Sequence, residues 1–131
     1  MKVTFNYHAV PSTFPSDIPV LLERNFKGFS FRIGFFHEQQ YISLRIGLLV
    51  EVIIGDAQPE IFMRSSSDLD LLRADTPEKL LEAIDLELQL LSINVFRKIS
   101  YMLQKEFVDE FLEAVTPQMI YASVLPQDKA D

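Results

Sequence analysis

The chain has 131 residues, 48% of them apolar, with eleven Phe, no Cys and a formal net charge of −7. That length suits one domain with a real core, and the apolar content excludes a disordered chain. The lack of Cys excludes disulfides and thiolate nucleophiles or ligands.

The charge is unevenly placed. Residues 1 to 67 hold six acidic and six basic residues, whereas residues 68 to 131 hold thirteen acidic and six basic. Nucleic-acid binders need a basic footprint to displace counterions. No basic cluster here exceeds Arg97-Lys98, so nucleic acid is set aside as a partner. Met1 to His8 alternates without the apolar core of a signal peptide. No run reaches the roughly 18 apolar residues of a membrane span. A cytoplasmic protein with no membrane partner is expected.

Four strands are predicted first. Val3, Phe5, Tyr7 and Ala9 alternate with polar residues, and Pro11, Pro15 and Pro19 then punctuate a loop. Phe29, Phe31, Ile33 and Phe35 form one face of a second strand, with Ser30, Arg32 and Gly34 opposite. After the polar break His37 to Gln40, the apolar residues Ile42, Leu44, Ile46, Leu48, Val50, Val52 and Ile54 recur at period two. Side chains alternate faces along a strand, so this is one long buried sheet face, hairpin-paired with its predecessor. Gly55 to Pro59 is a turn signal, and a fourth strand follows near Glu60 to Leu71.

The period then changes. Thr76 is a natural N-cap, Pro77 fits the first helical position and Glu78 suits the positive helix terminus. Leu80, Ile84, Leu88, Leu91, Val95, Ile99 and Met102 mark one face of a long helix, with a bend expected near Ser92-Ile93-Asn94. Leu86, Leu90, Ile93 and Phe96 make a second apolar set. A helix apolar on two sides needs two neighbours, its own sheet and something else. Phe107 to Val115 continues helically, and Met119 to Leu125 reads as a short strand. The fold class is therefore α+β: an antiparallel four-stranded sheet, a meander, packed against a long C-terminal helix in a single domain over 1–131.

No catalytic constellation assembles from these residues. His8 and His37 are isolated, so no metal site and no cofactor are expected. The four glycines are scattered, and no phosphate-cradling loop exists. Ser65, Ser66 and Ser67 lack an elbow context, and Glu78, Glu82, Asp85 and Glu87 fit a solvated helix face. Arg97 stands in an otherwise apolar stretch and reads as a snorkelling or ion-paired side chain.

The element order, with the segment Asn94-Val95-Phe96-Arg97-Lys98-Ile99-Ser100, resembles the SecB-type export chaperones. In that family an aromatic precedes an arginine and then an Ile-Ser pair on the helix. Thr116-Pro117 to Pro126 is similar to the proline-bounded stretch after it. The resemblance implies a cytosolic homo-oligomer, tetrameric in the export chaperones, with helices over one sheet face and extended apolar grooves for unfolded polypeptide.

The leading expectation is a non-enzymatic, oligomeric, chaperone-like protein that holds extended or non-native polypeptide in apolar grooves. Phe36, Phe62 and Phe96 are its candidate polypeptide-binding residues, and Phe36 stands out because it breaks the polar face of its strand. Leu86, Leu90, Ile93 and Phe96 are the candidate interface of a homo-oligomer, a dimer or tetramer. The alternative is an acidic interaction factor of the immunity, antitoxin or phage accessory type, whose second half docks one basic partner. A third class, a carrier or enzyme with an apolar pocket between helix and sheet, has no residue constellation behind it.

Overall fold

The computed structural model describes residues 18–55 and 60–124, with side chains for all of these except 60–65. Among the described residues four strands, β1 (Val20–Asn25), β2 (Phe29–Gln39), β3 (Ser43–Ile54) and β4 (Glu60–Asp70), precede three helices, α1 (Pro77–Met102), α2 (Lys105–Ala114) and α3 (Pro117–Val124). The strands pair antiparallel in the order β1-β2-β3-β4. This is the meander expected from the alternating pattern, and α1 packs on β3 and β4.

The β2–β3 hairpin keeps one register throughout, from Phe29 opposite Ile54 to Gln39 opposite Leu44. Phe31 and Ile33 of β2 and Ile46, Leu48, Val50 and Val52 of β3 therefore share a face. They meet Leu88, Leu91, Val95 and Ile99 of α1 in one core. Each such side chain contributes roughly 1.5–3 kcal/mol when fully buried, enough to fix α1 on the sheet without help from helix propensity. Leu49 and Ile53 point to the opposite face and are buried as well. The centre of β3 is thus covered on both sides, which is why Leu49 and Ile53 between the core-facing positions are apolar too.

Local chemistry sets the boundaries. Gly55 ends β3 with a φ of 59°, in the left-handed region that glycine adopts without penalty. The Thr76 hydroxyl accepts the Lys79 backbone N–H at 3.2 Å, the N-cap expected for α1. α1 then runs as one α-helix from Pro77 to Met102, without interruption at Ser92 to Asn94. Ser92 is fully buried and donates its hydroxyl to the Leu88 carbonyl at 2.7 Å, so it is satisfied inside the turn.

Two predicted elements differ. The strand expected over Val3 to Ala9 lies outside the described residues, and β1 follows Pro19 instead. Met119 to Val124, expected as strand, belong to α3; Leu125 lies outside the described residues. Pro117 opens that helix, Thr116 caps it by accepting the Met119 N–H at 3.1 Å, and Ile120 and Val124 bury one face. A short Met/Ile/Val run has no period that separates strand from helix, and here the cap decides.

Six phenylalanines tie the helices to the hairpin. Phe26 stacks on Phe29 at 4.5 Å and Phe29 meets Phe107 at 5.5 Å. Phe31 meets Phe111 edge-on at 5.8 Å, and Phe96 stacks on Phe111 at 5.3 Å. These ring pairs link β2, α1 and α2 through one fully buried side chain, Phe111.

Candidate functional site

A cleft of about 550 Å³ opens beside β2. Phe35, Phe36, Ile18 and Pro19 give it apolar walls, and Glu38 and Arg45 line its polar side. The strand register explains the arrangement. Phe36 lies opposite Gly47, which contributes no side chain, and Gly47 lies opposite Ser66 of β4. The next row on that face is Glu38, Arg45 and Asp68, where Arg45 Nε donates to Asp68 Oδ1 at 3.0 Å. Phe36 is half-buried and Phe35 leans on the His37 ring at 6.0 Å. β1 begins opposite Gly34, so the hairpin end His37 to Gln39 has no described strand on its outer side.

The other candidate residues separate. Phe96 faces inward onto Phe111 and belongs to the aromatic cluster that docks α2. The side chain of Phe62 lies outside the described residues. Leu86, Leu90 and Ile93 remain 56%, 51% and 41% exposed on the outer face of α1. The second apolar set of the helix is therefore divided: α2 covers its Phe96 end, and three residues face solvent. Next to this row, a depression lined by Gln89, Ile93, Pro117 and Tyr121 separates α1 from α3. The Tyr121 hydroxyl donates to the Asp85 carboxylate, which holds its pKa above the usual phenol value.

The sequence pattern did not bring out a third cluster. Glu23 of β1, Arg32 of β2 and Glu51 of β3 are register partners across the sheet. Arg32 Nε donates to Glu23 Oε1 at 3.0 Å, and its Nη1 donates to Glu51 Oε1 at 2.9 Å. Both carboxylate side chains have no solvent exposure. Among the described residues, Glu23 Oε2 is buried without a hydrogen-bond partner. Burial raises the Glu23 pKa above the ordinary carboxylate value. The Arg32 hydrogen bond and charge pull it back, and the nearby Glu51 charge adds to the rise. The hairpin symmetry that sets Phe29 against Ile54 also sets Arg32 against Glu51, so this pair was readable once the turn was placed. Because it is sealed from solvent, the cluster serves as an ionic rivet between strands.

Among the described residues, no group of three His, Asp or Glu side chains is placed to hold a metal ion. No helix among them is long and apolar enough to cross a membrane. No family model, no curated protein and no solved structure matches this chain.

Proposed function

We propose that this chain is a non-enzymatic, self-associating protein that binds extended or non-native polypeptide in the manner of a chaperone. The observation that carries this reading is the open cleft where Phe36 and Phe35 stand beside the outer edge of the β2 hairpin end. An incoming strand would exchange backbone hydrogen bonds with His37 to Gln39 and set alternate side chains against the aromatic wall. The order of four strands and then a long helix, which resembles the SecB-type chaperones, supports the same choice of client.

The test is light scattering of a chemically unfolded, aggregating client titrated with this protein at low and moderate salt. Stoichiometric suppression is expected, and Phe36→Ser should weaken it while the circular dichroism spectrum stays unchanged. Failure of the folded wild-type protein to suppress aggregation would sink the reading. Salt-sensitive binding to one folded basic protein would favour the alternative, an acidic interaction factor. The exposed carboxylates Asp68, Asp70 and Glu82 beside α1 are the observation behind that alternative.

A further inference from the structure

We propose that α1 pairs antiparallel with α1 of a second copy of this chain, about a two-fold axis passing between Gln89 and Leu90. The inference deepens the self-associating part of the function proposed above and uses a surface separate from the cleft.

The argument starts from helix geometry. At 3.6 residues per turn, Glu82, Leu86, Leu90, Ile93 and Arg97 fall on one strip of α1. That strip lies on the side of the helix away from Leu88, Leu91, Val95 and Ile99, which bury against the sheet. Three consecutive apolar positions in its middle are between 41% and 56% exposed. Spacings of four and three along Leu86, Leu90 and Ile93 are those of a helix–helix seam rather than of apolar residues scattered singly.

The ends of the strip identify the occupant. Glu82 stands one turn before Leu86, and Arg97 one turn after Ile93; both are exposed. Among the described residues, neither forms an ion pair within the protomer. An axis between residues 89 and 90 places Leu86 opposite Ile93 of the second copy. The same axis places Glu82 opposite its Arg97, and each contact occurs twice, as an isologous interface requires. One axis therefore satisfies both the apolar pair and the charged pair. Parallel pairing in register would set Glu82 against Glu82 and Arg97 against Arg97, a like-charge juxtaposition. The paired segment spans about 22 Å at 1.5 Å per residue, or four turns of α1. A strip this self-complementary fits a second copy better than an unrelated helix, which would have to reproduce the same charge order in reverse.

The test is sedimentation equilibrium of the full chain, with circular dichroism and thermal melts reporting the fold. Wild type should show a concentration-dependent dimer. Arg97→Glu, an exposed substitution that leaves the core intact, should weaken dimerisation by about tenfold or more, because each copy then presents two acidic ends. Adding Glu82→Arg to Arg97→Glu should restore the constant to within about threefold of wild type, since the swapped charges are again complementary. A folded wild-type protein that stays monomeric at the highest concentration reached would overturn the proposal. So would a double variant that dimerises no better than Arg97→Glu alone. A monomer that still suppresses client aggregation would remove this interface and keep the polypeptide-binding reading; a dimer indifferent to client would do the reverse.

Discussion

Replacing Arg32 by Met tests the ionic rivet at its centre. Met fills a similar volume without charge, so the effect reports on electrostatics more than on a void. Arg32 donates to Glu23 at 3.0 Å and to Glu51 at 2.9 Å, with all three side chains nearly or wholly closed to water. A hydrogen bond to a charged group is worth about 1.5–3 kcal/mol, so two sum to roughly 3–6 kcal/mol. Removing one partner of a buried ion cluster costs about 3–5 kcal/mol by comparison with other proteins, and the two figures overlap. We expect a loss of about 3–5 kcal/mol at neutral pH, a large share of the roughly 5–15 kcal/mol that holds a domain together. Urea unfolding followed by circular dichroism measures it, with Arg45→Met as the exposed control. Arg45 pairs with Asp68 in solvent, so its loss should cost far less than that of Arg32. In mild acid the penalty for Arg32→Met should shrink, because Glu23, whose pKa burial raises, can then neutralise by taking up a proton. A cost below about 1 kcal/mol at neutral pH, or a cost unchanged in acid, would refute the assignment of stability to this cluster.

Glu23→Gln should flatten one part of the pH profile. The folded-state pKa of Glu23 is raised above 4.5, so as pH climbs from there the unfolded chain loses its proton first and wild-type stability declines. The variant should lack that decline; urea midpoints across the acid range decide. Gly28→Ala should destabilise by about 1–3 kcal/mol, because a Cβ at that position overlaps the Phe107 ring, and Gly28→Ala with Phe107→Leu should recover part of the loss in a thermal melt. Phe111→Ala should cost about 3–5 kcal/mol in chemical unfolding, since the ring is fully buried between Phe31 and Phe96. Thr76→Ala should cost about 1 kcal/mol, the value of a single N-cap, with Thr76→Ser near wild type by the same assay.

The elements most legible in the sequence are those whose period is long. Ile46 to Val52 repeat at two over a whole strand, and Leu80 to Ile99 at three and four over a whole helix. The structure places both elements where those repeats put them, β3 beginning at Ser43, just after the expected Ile42. β1 was not legible because six residues, VLLERN, carry one core-facing leucine and a buried glutamate that breaks the alternation. α3 was misread because eight residues hold too few turns to show a helical period against their β-branched content. The site divides in the same way. Phe36 was visible as an apolar residue on a polar face, and Leu86, Leu90 and Ile93 as a second helix stripe. The inward turn of Phe96 depends on Phe111, which is fifteen residues further along and on another helix. That pairing is tertiary, and no local pattern encodes it.

The connectivity of the sheet carries a consequence for how the chain is made. Each strand pairs with its immediate neighbour in sequence, so the three hairpins can zip as they emerge. α3, however, returns to pack on β1 as well as on α1, joining the two ends of the described chain. Until Val124 has cleared the ribosome, β1 lacks that cover and the hairpins wait with apolar faces open. Folding of these elements during synthesis should therefore be abrupt rather than gradual, and the nascent sheet would be most in need of protection just before α3 appears.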